Sequence, residues 1–382
     1  MRVLHLFKTY LPETIGGIEQ AIFQACQSGI AHGIESQVLT LSARPEPREL
    51  RVADHQVHRA KLDIQLASTG FSFGLLRRFK ALAAEADVFN YHFPWPFMDV
   101  LHFAAQIRKP TVVTYHSDII RQKHLLKLYR PLMQRFLGSV DRIVAASPNY
   151  LQTSEVLARY RDKTTVIPYG LDKVAYPLAS PARSAHWRRR FGSRFFLFVG
   201  VMRYYKGLHI LLEAVRGTGY PVVIVGAGPL ELELRAQAQA LGLDHVHFVG
   251  RLGDEDKVAL LQLCSTLVFP SHLRSEAFGI SLLEGAMFGK AMISSEIGTG
   301  TSYINQHNHT GLVVPPGDPL ALREAMRTLW NNPGLAVQMG RRAEQRYRQL
   351  FTAERMGRQM AALYRELLSS PQGLGEQLGA KC

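Results

Sequence analysis

A chain of 382 residues with 47% apolar side chains exceeds what one ordinary core holds, so two domains are expected. Only 20% of residues are charged and 31 are glycine, which excludes a coiled coil or a chain disordered over its length. The three cysteines, Cys26, Cys264 and Cys382, have no spacing suited to zinc or a disulfide framework and point to a reducing, cytoplasmic setting, while the net charge of +14 favours anionic partners: phosphate esters, acidic lipids or nucleic acid.

The opening MRVLHLFKTYLPE reads as a strand and a loop, because its apolar run is too short for a secretion signal and an acidic residue follows at once. No apolar stretch reaches membrane-spanning length. Short β-branched runs then alternate with amphipathic stretches: VLHL at 3–6, QVLTL at 37–41, DVFNYH at 87–92, TVVTYH at 111–116, RIVAAS at 142–147 and VIPYG at 166–170. This alternation predicts parallel strands with crossover helices. The stretch 173–187 carries two prolines and no sustained period, which marks it as the domain boundary. A second set follows at 195–200, 221–226, 245–250, 266–271, 291–295 and 311–315, and helices over 319–331, 335–347 and 352–368 end the fold. The expected class is α/β, two doubly wound domains of residues 1–172 and 186–352 facing across a cleft. The tail after 368 lacks any period and is expected to be loose.

Four places carry candidate chemistry. Gly16 and Gly17 lie between the first strand and its helix, where small residues let a ligand approach backbone amides; a flexible turn explains the pair equally well. Gly226 and Gly228 follow the strand PVVIV and suggest either close approach to a mononucleotide or a structural turn. The full dinucleotide fingerprint fails at Glu231. Arg203 and Lys206, three apart in a strand-to-helix loop, can neutralise a diphosphate, although solvated surface charge is the plain alternative. In PSHLRSEAFGISLLEGAMFGK, Glu276 precedes Phe278 and Gly279, where a helix begins, and Glu284 lies within it. Eight residues of helix separate the carboxylates by roughly 12 Å. That is too far for a glycosidase pair and suits opposite ends of one extended ligand. Glu284 beside packed apolar neighbours would be costly if idle, and ordinary if it faced solvent.

Together Gly16-Gly17, His116, Arg203 with Lys206-Gly207, the GAGP run from Gly226 and the EAFG run from Glu276 to Gly279 with Glu284 resemble the retaining GT-B glycosyltransferases of family 4 over nearly the whole chain. The opening 1–20 is similar to bacterial mannosyl- and rhamnosyltransferases that assemble lipopolysaccharide O-chains. The resemblance implies an acceptor-binding first domain, a nucleotide-sugar-binding second domain and a final helix, 353–370, packing back toward the first. Glu284 would hold the ribose hydroxyls and Glu276 the donor sugar. Arg203 and Lys206 would clamp the diphosphate, with backbone amides near Gly17, Phe278 and Gly279 assisting. His116 would reach the sugar. The implied donor is GDP-mannose or GDP-D-rhamnose, the acceptor a lipid-linked saccharide, with no cofactor. Two departures stand out: Ser117 separates His116 from Asp118 where the family places an acidic residue directly after the histidine, and Tyr169 replaces the asparagine of IPNG.

No metal box is apparent, because His55 with His58 and His307 with His309 lack adjacent carboxylates and read as solvent-facing. From 119 to 138, Arg121, Lys123, Lys127, Arg130 and Arg135 alternate with leucines and aromatics, a pattern that suits either an anionic membrane surface or a crossover helix that Pro131 kinks or divides. Three other functions compete with a GDP-sugar transferase: a UDP-sugar transferase of the same fold, a nucleotide-dependent oxidoreductase, and a nucleic-acid-binding module. The incomplete glycine fingerprint opposes the oxidoreductase, and scattered basic residues without stacking platforms oppose nucleic acid.

Overall fold

The computed structural model describes residues 1–66, 69–119 and 123–370, and its chain divides into two compact units, 1–170 with 353 onward and 171–352. The expectation of a loose tail falls on 371–382, which lie outside the described residues.

The first unit contains β1 (Arg2–Leu6), β2 (Glu35–Ser42), β3 (Glu49–Val52), β4 (His55–Lys61), β5 (Ile64–Leu66), β6 (Thr69–Phe71), β7 (Val88–Phe93), β8 (Thr111–Tyr115), β9 (Arg142–Ala145) and β10 (Thr164–Val166). Eight of them form one sheet in the order β10-β9-β8-β7-β1-β2-β4-β3, parallel except for β3 against β4, and β5 pairs with β6 as a hairpin. The sequence pattern gave no warning of β3 to β6, because β4 carries His55, His58 and Arg59 where an apolar run was sought. All three are buried, and each has a polar partner. Arg59 pairs with Glu13, His55 with the Tyr10 hydroxyl at 2.9 Å, and His58 with Glu49 at 3.4 Å. This corrects the solvent-facing reading of His55 and His58; His307 and His309 are exposed.

The helix Ala353–Ser369 belongs to this unit and lies on Gly17–Ile30. Contact is so close that a Cβ at Gly357 would stand 2.4 Å from the Ser28 carbonyl oxygen. Asn90 donates to the Tyr364 hydroxyl at 2.8 Å and tethers the helix to β7. The helix Lys123–Ser139 runs unbroken through Pro131, so the proline does not divide it.

The second unit contains β11 (Phe196–Val199), β12 (Val222–Val225), β13 (Val246–Gly250), β14 (Thr266–Phe269), β15 (Ala291–Ser295) and β16 (Gly311–Val314), all parallel in the order β13-β12-β11-β14-β15-β16. Counted within the unit this is the doubly wound order 3-2-1-4-5-6. Strands such as β11, β12, β14 and β15 are buried throughout, the reason their sequences read as unbroken apolar runs. The stretch expected to be irregular holds a helix, Pro181–Phe191. Ser180 caps it, Pro181 starts it, and Trp187 stacks on Phe191 and donates to Asp256 at 2.8 Å.

In both sheets the strand order reverses at one point, between β1 and β7 in the first unit and between β11 and β14 in the second. Loops leaving neighbouring strands in opposite directions there open a crevice at the carboxyl edge. The loops after β1, β11 and β14 carry Gly16, Lys206 and Glu276.

Candidate functional site

In the second unit β11 delivers the chain into a loop ending in the short turn Tyr204–Lys206. Gly207 follows at φ 71°, and a side chain there would strike the Pro270 carbonyl oxygen at 2.0 Å. Glycine is thus required where the loops after β11 and β14 touch, and this contact sets Lys206 against Glu276. Lys206 Nζ donates to Glu276 Oε2, and both residues are 9% exposed. The Ser271 hydroxyl lies 3.5 Å from the same oxygen. Burial works against the Lys206 charge, but the Glu276 carboxylate overrides it and holds the ammonium above its ordinary value. Lys206 also sits 4.6 Å over the Phe269 ring. Arg203 is exposed and near enough that its charge opposes that of Lys206.

Glu284 is buried on the helix Ile280–Met287, so it does not face solvent. Its Oε1 accepts from Lys257 Nζ at 2.9 Å and from the Tyr176 hydroxyl at 2.9 Å. Burial opposes the Lys257 charge as well, yet Glu284 and Asp254 raise it. Gly279 caps this helix at φ 99°, and buried Phe278 packs on Gly300 so tightly that a Cβ there would meet its ring at 2.5 Å. Gly226 and Gly228 let protein backbone approach protein backbone. A Cβ at Gly226 would meet the Gly200 oxygen at 1.9 Å, and one at Gly228 the Met202 oxygen at 2.5 Å. These glycines seat the loop that carries Arg203.

In the first unit Gly16 caps the helix Gly17–Ile30. Glu19 folds back over that helix start, accepting from the Thr9 hydroxyl at 2.8 Å and lying where a Gly16 side chain would go. The carboxylate complements the positive end of the helix. His116 directly follows β8 and is buried, one ring nitrogen 2.9 Å from His92 and the other 2.5 Å from the Tyr169 hydroxyl. Burial pushes its pKa down to about 3. Asp118 accepts from Tyr115 at 2.9 Å and Ser154 at 2.7 Å, which anchors the loop after β8.

Lys206 and Glu276 thus come together, whereas Glu284 heads a separate cluster with Lys257 and Tyr176. Sequence reasoning passed over Lys257, Tyr176, Glu19 and His92. Only the histidines left a signal, since His5, His92 and His116 each stand at or just beyond the last residues of a strand.

Comparison with known proteins gives concordant matches. Residues 15–174 match the model of Glycosyltransferase Family 4, and residues 183–346 that of glycosyl transferases group 1. A D-rhamnosyltransferase of Pseudomonas aeruginosa is 70% identical over 353 residues, 92% of this chain and 93% of its own. An O-antigen chain mannosyltransferase C of Escherichia coli is 54% identical over 370 residues, 97% of this chain and 100% of its own. The structure of sucrose-phosphate synthase from Thermosynechococcus elongatus superposes with a TM-score of 0.79 at 22% identity, covering 96% of this chain and 99% of that one. At that identity the likeness shows the fold: GT-B, with two Rossmann-like domains.

Proposed function

We propose, for a chain that belongs to glycosyltransferase family 4, that it transfers mannose or D-rhamnose from a GDP-sugar to a lipid-linked saccharide of the O-antigen, with retention at the anomeric carbon. The observation that carries the chemistry is the buried Lys206 and Glu276 pair at the strand-order reversal of the second unit. Breaking the bond between the anomeric carbon and phosphate leaves negative charge on the diphosphate. Lys206, preorganised by Glu276, and the neighbouring Arg203 stabilise that charge more in the transition state than in the bound donor. Glu276 accepts hydrogen bonds from sugar hydroxyls, and Glu284, oriented by Lys257 and Tyr176, accepts those of the ribose. The acceptor oxygen bonds to the anomeric carbon on the face the phosphate leaves, and its proton passes to the departing phosphate oxygen.

The test offers GDP-mannose, GDP-D-rhamnose, UDP-glucose and UDP-N-acetylglucosamine with lipid-linked acceptors and resolves the product anomers by NMR. Transfer from a guanosine diphosphate donor with α-linkage is expected. Transfer from a uridine diphosphate donor alone, or a β-linked product, refutes the reading.

Action at an anionic membrane surface is supported by the helix Lys123–Ser139. Leu125 and Leu128 are 47% and 82% exposed, beside exposed Lys127, Arg130 and Arg135, while Met133, Phe136 and Leu137 are buried. A plain crossover helix turns its leucines to the sheet; this one leaves two outward among cations, the arrangement of an interfacial helix. Among the described residues no helix is long and apolar enough to cross a membrane.

A further inference from the structure

Neighbouring strands β1, β7 and β8 each bring a buried histidine to the carboxyl edge of the first sheet, and the reaction described above gives none of the three, His5, His92 and His116, a task. His5 Nδ1 lies 3.0 Å from His92 Nε2, His92 Nδ1 lies 2.9 Å from His116 Nε2, and His116 Nδ1 lies 2.5 Å from the Tyr169 hydroxyl. The rings of His5 and His92 stack at 5.3 Å and those of His92 and His116 at 5.1 Å, with Phe7 against the latter two.

Burial holds the three imidazoles neutral, pushing His5 and His116 down to about 3 and His92 well below its ordinary value. A neutral imidazole has one donor and one acceptor nitrogen. His92 and His116 spend both nitrogens within the row, so every contact must set one N–H against one lone pair. Two arrangements satisfy the whole row. Either all three rings carry the proton on Nδ1 and His116 donates to Tyr169, or all three carry it on Nε2 and Tyr169 donates to His116. Any mixture sets two hydrogens or two lone pairs face to face.

We propose that His5 and His92 are positioning residues: the row of three imidazoles acts as one hydrogen-bonded unit that fixes the tautomer of His116 and so decides whether the Tyr169 hydroxyl gives or takes a hydrogen bond. Both nitrogens of His116 are already taken, so the row ends on the buried Tyr169 hydroxyl, and its effect on a bound sugar passes through that end. The sugar as ligand rests on the function proposed above; the row itself does not.

Nitrogen-15 NMR of the histidine-labelled full chain reads the tautomers directly. The same tautomer at His5, His92 and His116 is expected, and opposite tautomers at two neighbours overturn the proposal. His92→Phe keeps the stacked ring and deletes both nitrogens. It should move His116 to another or a mixed tautomer and lower kcat roughly tenfold, the effect of one lost hydrogen bond, with the donor KM within about twofold. A folded His92→Phe protein with either the His116 tautomer or kcat unchanged overturns the proposal. Should that variant not fold, Tyr169→Phe probes the row from its other end, and a His116 tautomer indifferent to loss of the hydroxyl has the same force. Failure of the parent protein to transfer any sugar would defeat the proposed function alone, since the tautomer pattern is read without turnover.

Discussion

Removing the Lys206 ammonium alone should harm the protein more than removing it together with the Glu276 carboxylate. Lys206→Met leaves a carboxylate nine-tenths buried, with the Ser271 hydroxyl at 3.5 Å as its remaining close partner. Breaking a buried pair from one side costs about 3–5 kcal/mol, because the surviving charge keeps its desolvation penalty without its partner. For a unit of this size that corresponds to a fall in Tm of roughly 6–20 °C. Lys206→Met/Glu276→Gln leaves no stranded charge and should recover about 2 kcal/mol or more of the summed single losses. Guanidinium unfolding of the parent, both single variants and the double variant measures this coupling. Additivity of the two single losses within about 0.5 kcal/mol would refute the idea that the two residues act as a pair. Kinetics supply a second check: kcat of the Lys206 variant should fall by about 10²–10³ while donor affinity changes less, since the lysine's partner gains charge only as the bond breaks. A raised KM at unchanged kcat would remove Lys206 from the transition state.

Glu284→Gln should weaken binding of free GDP by roughly tenfold, because a carboxylate oriented by Lys257 and Tyr176 becomes a neutral acceptor; calorimetry measures it, and equal affinities would remove Glu284 from the nucleotide site. Gly228→Ala should cost about 1–3 kcal/mol and reduce turnover, since its Cβ would lie 2.5 Å from the Met202 oxygen and push on the loop bearing Arg203, an effect read by thermal melts and initial rates. Acid should destabilise the protein through the histidine row. His5 and His116 have folded pKa values lowered to about 3 from 6.5, so the unfolded chain binds more protons between those limits and stability falls as pH drops below 6.5, by up to about 1.4 kcal/mol per pH unit for each ring. His5→Phe should flatten that slope in unfolding measured from pH 7 to 4. Reversing the charge of exposed Lys127 and Arg130 should reduce pelleting with anionic liposomes while sparing turnover of a short soluble acceptor.

Composition and periodicity alone determined most of the architecture. Parallel strands covered on both faces must be largely apolar, and so β1, β2, β7 to β9 and all six strands of the second unit are visible as short, mainly apolar runs, even β13, which is half-buried over most of its length. Glycines at 16, 17, 226 and 228 were legible as places where something passes close to the backbone. What passes them was not: at 226 and 228 it is another stretch of the same chain, as it also is at 207, and at 16 the Glu19 carboxylate.

Polar residues whose burial depends on a distant partner escaped local reading. β4 reads as a polar segment until Glu13, Tyr10 and Glu49 pair with its Arg59, His55 and His58. Lys206 and Glu276 were each recognisable by type, but their pairing joins positions 70 residues apart and exists because β11 and β14 are neighbours in space. The same holds for Lys257 and Tyr176 on Glu284, and for three histidines spread from position 5 to position 116. A sequence records which side chains can bear charge or share a proton; which of them meet depends on the order in which strands lie side by side, and that order is settled only when the whole sheet forms.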